Sequence, residues 1–233
     1  MKILAFVPAR SGSKGIKNKN MFILKKKPLI FYTLRDLNKI KKHVLPFVST
    51  DSLKIRNYSE KFGVTNNYLR PKSLSKDSSS TFDAIKHALK WLKSEKKLNF
   101  EAVLLLQPTT PIRDIKDIKL AIRRFKKNKL KSIISVTHMK EHPYDCIKVH
   151  GKKINFLSRK PKKTNQRQKY DKNFYFIDGS FYLATTKFLR KNKGFFNKKY
   201  TKLFIQKRKW PIDIDDADDL KVADSLMTKA KNK

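Results

Sequence analysis

The chain has 233 residues, 57 lysines and arginines against 19 acids, and a formal charge of +38. That length suits one domain with a core, and no apolar run approaches the 18 residues a membrane span needs. A single cysteine, Cys146, excludes an internal disulfide and a thiolate metal cluster and fits a reducing compartment. The N-terminus lacks the zones of a secretory signal, so a cytoplasmic protein is expected. The charge raises the question of a nucleic-acid partner. The lysines, however, are spread over predicted helix faces and turns, and aromatics sit mainly in apolar runs. A concentrated basic footprint is missing, so composition bias, or a phosphate-rich small substrate, explains the charge better.

The predicted elements alternate. Ile3–Val7 is a buried strand that runs into a loop, residues 8–20, carrying Arg10, Gly12, Ser13, Lys14, Gly15, Lys19 and Asn20. Such a loop presents backbone N–H groups and cations to phosphates, although it is neither a Walker A nor a GxGxxG motif. A helix is predicted from Leu29 to Lys41, with Pro28 at its start and Ile30, Leu34 and Leu37 at helical spacing. The strand Val44–Val48 contains Pro46, which suits an edge position. Ser49–Ser52 should cap a helix over 52–62, which Gly63 ends. Lys76–Thr81 reads as the start of another helix. Val103–Leu106 is an apolar strand ending at Gln107–Arg113, followed by a helix over 115–127 and the strand Ser132–Val136.

Repeated strand–helix units with short connections predict a three-layer α/β fold with a mostly parallel sheet. The Arg10 loop, the Ser49–Asp51 turn and the Gln107–Arg113 turn then meet at the carboxyl ends of the strands, where such folds bind ligands. Periodicity fades over 138–176, an excursion expected to form a small subdomain, lid or dimerisation arm. His142, in this stretch, has no partners at metal spacing. Strands resume at Phe176–Ile177, Ser180–Leu183 and Leu203–Ile205, and a helix closes the chain. Before it, Asp213 and Asp215 alternate with Ile212 and Ile214. On an extended strand the two carboxylates face one way. This pattern suits Mg²⁺ bridging to a nucleoside triphosphate; the alternative is a helix N-terminus rich in acids.

Several of these stretches resemble the CMP-sialic acid synthetases: Pro8–Gly15 with Lys19-Asn20, Lys27–Leu29, Val48–Ser52, Arg70-Pro71 with Asp77, Leu105–Arg113, and Asp213-Ile214-Asp215. The resemblance spans nearly the whole chain. It implies a single nucleotidyltransferase domain over 1–233, with the 138–176 segment protruding to make a homodimer. It also implies transfer of CMP from CTP to the anomeric hydroxyl of a nonulosonic acid, with release of pyrophosphate. It puts Arg10, Ser13, Lys14, Lys19 and Asn20 on the triphosphate and nucleotide, and Arg70, Asp77 and Thr81 on the cytidine. Gln107 would meet the sugar, with Lys140, Arg159 and Arg167 approaching from the protruding segment. Tyr182, Phe195 and Phe196 would wall the sugar pocket. Asp213 and Asp215 would hold Mg²⁺, and Arg10, Lys19 and Asp215 would be the catalytic residues, with the proton of the attacking hydroxyl going to a metal-bound hydroxide or to Asp215. Neither a membrane nor a nucleic acid is expected as partner, and no appended phosphatase domain is expected. The family's Asn-Gly-Ala-Ile-Tyr is replaced by Asp178-Gly179-Ser180-Phe181-Tyr182. That change would place a negative charge at the sugar pocket. Neuraminic, legionaminic and pseudaminic acids all stay open, as does a nucleotidyltransferase of another sugar class.

Overall fold

The computed structural model describes residues 1–13, 15–64, 67–158, 167–207 and 212–229. Ten strands and six α-helices follow in chain order among them. The first strand, β1 (Ile3–Pro8), lies inside a six-stranded sheet. Two short strands, β2 (Ile23–Leu24) and β3 (Lys27–Pro28), pair antiparallel just before α1 (Leu29–Ile40). Next come β4 (Leu45–Ser49), α2 (Leu53–Glu60), α3 (Thr81–Lys96), β5 (Ala102–Leu105), α4 (Ile115–Lys127) and β6 (Ser132–His138). The expected excursion holds a hairpin, β7 (Ile147–His150) and β8 (Lys153–Phe156). The chain returns through β9 (Tyr175–Thr185), α5 (Thr186–Asn192), β10 (Thr201–Ile205) and α6 (Ala217–Lys229).

The main sheet runs β10-β6-β9-β5-β1-β4. β1 is parallel to β4 and β5, and β10 is parallel to β6. β9 runs antiparallel to both of its neighbours, β5 and β6. The sheet is therefore mixed but mostly parallel, as expected. β4 is an edge strand, which is how Pro46 is accommodated: its missing N–H falls on a strand with one neighbour. The two apolar pieces at 176–177 and 180–183 are one continuous strand. Polar Asp178 and Gly179 between them mark a register shift against β6 at Ile134/Val136, not a strand end.

Alternation along β1 builds the two cores. Ile3, Ala5 and Val7 join Ile30, Leu34, Leu37 and Ile40 of α1 and Ile118, Ala121, Ile122 and Phe125 of α4. Leu4 and Phe6 face the opposite side, with Ala84, Ile85, Ala88 and Leu92 of α3 and Phe188 and Leu189 of α5. Period two on the strand and 3.6 on the helices dictate this split. A third, smaller cluster joins the two ends of the chain: Ile16 and Leu29 pack with Ile212, Ile214, Leu220 and Ala223. It sits directly under the basic loop and the two aspartates. No helix of the described residues is long and apolar enough to cross a membrane.

Candidate active site

β1, β4 and β5 end side by side, and the loops after β1 and β5, together with the segment that leads into α3, form a cleft of about 230 Å³; the expected Ser49–Asp51 turn backs it without lining it. Arg10, Gly12, Ser13, Lys19 and Asn20 line it from the first loop, Arg70 and Asp77 from the segment before α3, Thr81 from the N-terminus of α3, and Gln107 to Thr109 from the loop after β5. The nucleotide residues expected from the sequence are thus brought together where described; Lys14 lies outside the described residues.

Several are held by an identifiable partner. Asp51 accepts from both the Ser11 backbone N–H (2.8 Å) and its hydroxyl (2.7 Å), pinning the start of the basic loop to the end of β4. The helix-capping role expected of the Ser49–Ser52 turn falls to Ser52, whose hydroxyl accepts from the Ile55 N–H. Asn20 donates to the Arg10 carbonyl at 2.8 Å, closing the loop on itself. Arg10 pairs with Asp77 at 2.5 Å across the cleft. Buried Arg70 donates to the Ser49 hydroxyl at 3.0 Å and to the Ser49 carbonyl. Burial lowers its pKa, with Tyr68 and Asp51 acting in the opposite sense. The side of Thr81 is set by Ser80, whose hydroxyl caps α3 through the Asp83 N–H at 3.0 Å. The positive end of that helix faces the cleft.

The link to the far end of the chain is Lys19. Its Nζ donates to the Ile214 carbonyl at 2.8 Å and to Asp215 Oδ1 at 3.1 Å. The Ile214 N–H donates to the Thr109 carbonyl at 2.8 Å. The Asp213–Asp215 stretch therefore sits between the first loop and the Gln107–Arg113 loop. It is not assigned to a strand, but the expected alternation holds: Ile212 and Ile214 are buried while Asp213 and Asp215 are exposed. Crowding by protein atoms raises the Asp213 pKa. The Thr109 side chain counters this, and the neighbouring Asp215 charge adds to it. Gly15 makes the approach possible. A Cβ there would clash with the Asp215 carbonyl oxygen.

The residues expected around the sugar are less uniformly placed. Gln107 lines the cleft, and its carbonyl accepts from Arg113. Tyr182 is half-buried on β9, its ring 5.7 Å from that of Phe195. Burial pushes its hydroxyl up to about 12, with Asp213 and Asp178 adding to the shift. Phe195 packs with the α3-side core. Phe196 is exposed and Lys140 is exposed beyond β6; like Tyr182 and Phe195, they do not line the cleft. Arg167 begins a short turn, Arg167–Lys169, and Arg159 lies outside the described residues. Asp178 corrects an expectation. It is 2% exposed and faces the interior, not a pocket: its carboxylate accepts from Ser135 Oγ (2.5 Å), Ser180 N (2.9 Å) and Gln206 Nε2 (2.8 Å).

Residues that sequence reasoning missed are Thr109, beside Asp213, and Gly179, whose φ of +70° lets the backbone pass Thr110 and Asp213. Arg113, quoted above only as part of a motif, donates to the Ser180 carbonyl at 2.8 Å and to the Thr33 hydroxyl at 2.9 Å, tying the cleft loop to β9 and α1. Their signal was their place in the Leu105–Arg113 and Asp178–Tyr182 stretches.

Residues 4–227 match the family model described as cytidylyltransferase. The chain is 32% identical to the N-acylneuraminate cytidylyltransferase of Escherichia coli O18:K1:H7, over 98% of this chain and 52% of that protein; it thus spans about half the length of that relative. It is 31% identical to the CMP-N,N'-diacetyllegionaminic acid synthase of Legionella pneumophila, over 97% of each. The structure of a CMP:2-keto-3-deoxy-manno-octonic acid synthetase complexed with CTP shares the fold, with a TM-score of 0.70 at 14% identity over 99% of this chain and 100% of that one. The chain belongs to the CMP-sialic acid synthetase family of cytidylyltransferases.

Proposed function

We propose that this protein transfers CMP from CTP to the anomeric hydroxyl of a nonulosonic acid and releases pyrophosphate. The observation that carries the reading is Lys19. It belongs to the basic loop lining the cleft and bonds Asp215, 196 residues away. A polyphosphate held by the loop thereby lies next to two carboxylates. Arg10, Ser13, Lys14, Lys19 and Asn20 bind the triphosphate, and Arg70, Asp77 and Thr81 the cytidine. Gln107 and Tyr182 face the incoming sugar, with Phe195 and Phe196 as further walls of its pocket, and the basic residues of the 138–176 segment, Lys140, Arg159 and Arg167, serve the sugar acid or the phosphates. Because Arg10 is paired with Asp77, phosphate must compete with that carboxylate or share the guanidinium.

Asp213 and Asp215 suit Mg²⁺. They offer hard oxygen donors, and the repulsion that helps raise the Asp213 pKa is one a divalent cation relieves. The described residues hold no group of three or more His, Cys, Asp or Glu that could hold a metal. Two carboxylates plus phosphate oxygens and water is the usual Mg²⁺ set at a nucleotide. When bound, Mg²⁺ neutralises phosphate charge and that of the departing pyrophosphate. The chain's own part is positioning and charge: Lys19 and Arg10 stabilise the charge on the phosphates, and the basic loop aligns the α-phosphorus with the sugar oxygen.

The test is pyrophosphate release from CTP, Mg²⁺ and a panel of neuraminic, legionaminic and pseudaminic acids, with UTP and GTP in place of CTP as comparison. Turnover with CTP and one acid supports the reading; none across the panel refutes it. A homodimer belongs to the same proposal. Ile147, Val149, Ile154 and Phe156 share one face of the β7–β8 hairpin by register, and all are exposed. A second copy covers this face, and Val149→Asp with Ile154→Asp should give a monomer in sedimentation velocity.

A further inference from the structure

We infer that Asp178 is a positioning residue: it locks a bulge of β9 that holds the Gln107–Arg113 loop and Asp213 in place. The inference rests on the CMP-transfer reading for its kinetic consequence, not for its structural one.

The bulge lies where the pairing of β6 with β9 shifts between Ile134 and Val136. Ser135, in the gap, is fully buried. Its hydroxyl meets Asp178 Oδ1 at 2.5 Å, the Phe181 carbonyl at 3.1 Å and the Phe181 N–H at 3.0 Å. Oδ1 also accepts from the Ser180 N–H, and Oδ2 accepts from Gln206 Nε2. Gln206 is itself buried just after β10, and its N–H donates to the Val136 carbonyl at 2.8 Å. One carboxylate thus ties β9 to β6 and to the chain leaving β10.

The other side of the bulge faces the site. The Gly179 carbonyl accepts from the Thr110 hydroxyl at 3.2 Å, and the Ser180 carbonyl accepts from Arg113 Nε at 2.8 Å. A Cβ on Gly179 would lie 3.1 Å from Thr110 Oγ1 and 3.4 Å from Asp213 Oδ2. Any shift of Gly179 therefore reaches both the cleft loop and a carboxylate of the phosphate site. Asp178 itself is buried and does not line the cleft, so it sets the geometry of the reacting side, not the identity of the sugar.

The two oxygens of Asp178 face three donors, the Ser135 hydroxyl, the Ser180 N–H and Gln206 Nε2. Asp178→Asn keeps Oδ1 for Ser135 and Ser180 and turns an NH₂ toward Gln206, whose amide can reverse to accept it. Asp178→Ala takes the acceptor from the buried Ser180 N–H and Gln206 Nε2 and leaves the Ser135 hydroxyl only the Phe181 carbonyl.

The experiment compares Asp178→Ala, Asp178→Asn and Gln206→Met in steady-state kinetics and in hydrogen exchange of the ligand-free proteins. Asp178→Ala should lower kcat at least tenfold while KM for CTP stays within twofold, because the β1 and α3 side of the cleft is untouched. Asp178→Asn should restore kcat to within twofold of the native protein. Peptides covering 109–113 and 179–180 should exchange faster in Asp178→Ala, and those of α3 should not. Should Asp178→Ala fail to fold, Gln206→Met carries the same expectations at severalfold size. An unchanged kcat with unchanged exchange overturns the inference. So does an Asn variant as impaired as the Ala variant, since charge and not the hydrogen-bond network would then matter. Absence of turnover by the native protein refutes the activity reading, and the exchange comparison still decides the role of Asp178.

Discussion

Gly15→Ala is the sharpest test of how the two ends of the chain meet. The glycine needs no left-handed backbone; what it supplies is space. A methyl there falls inside contact distance of the Asp215 carbonyl oxygen, a backbone atom that cannot swing aside like a side chain. Relief requires roughly an ångström of separation between the basic loop and the Asp213–Asp215 stretch, given ordinary van der Waals distances. The stretch is held by Lys19 at 2.8 Å and Thr109 at 2.8 Å and is seated on Ile212 and Ile214, so the strain falls on the small third core. Overpacking of this kind costs about 2 kcal/mol, which lowers the thermal midpoint by about 4–8 °C in a chain of this size. Misplacing the phosphate loop against the carboxylates by about 1 Å should reduce kcat/KM about 100-fold, or about 2.7 kcal/mol of transition-state stabilisation. Differential scanning fluorimetry and the pyrophosphate assay read the two effects. Gly12→Ala is the stability control, because a Cβ at Gly12 meets nothing within 4 Å and the midpoint should not move. A Gly15→Ala protein with native midpoint and native kcat/KM would refute the reasoning.

Lys19→Met removes the cation that joins the Ile214 carbonyl to Asp215, and should cost about 10²–10³ in kcat with the circular dichroism spectrum unchanged. Asp213→Asn should abolish Mg²⁺-dependent turnover yet raise the thermal midpoint in metal-free buffer near neutral pH. Crowding holds the Asp213 pKa above its ordinary value, so its contribution to stability is present in acid and lost as pH rises through that value; the Asn variant escapes the loss. Arg113→Met should destabilise by about 3–5 kcal/mol in urea unfolding. It removes bonds to Ser180, Thr33 and Gln107 and a charge that offsets fully buried Asp36. Burial already raises the Asp36 pKa, and losing Arg113 raises it further, so the deficit should be smallest in acid and grow as pH rises through the Asp36 pKa.

Local chemistry was legible in the chain itself. The 3.6-residue spacing of α4 and the hydroxyl ahead of α3 fall where the sequence put them, as does the proline of β4, because each depends on neighbours within a few residues. The meeting of the Arg10 and Gln107 loops was legible too, since strand ends in a parallel sheet gather their loops at one edge, whereas Arg70 and Asp77 joined them only through the family resemblance. Long-range placement was decided by tertiary structure alone. Nothing in its own residues says that β9 runs antiparallel between β5 and β6, or that its polar Asp178-Gly179 is a bulge. Asp178 read as a charge at a pocket because side-chain direction at a register shift depends on the partner strand. Gly15 read as part of a phosphate-presenting loop, and its lack of a side chain also makes room for the Asp215 carbonyl. The physical reason is the same in each case. Periodicity and capping are set by bonds a few residues apart, whereas the position of Lys19 against Asp215 is set by a core packed from both ends of the chain.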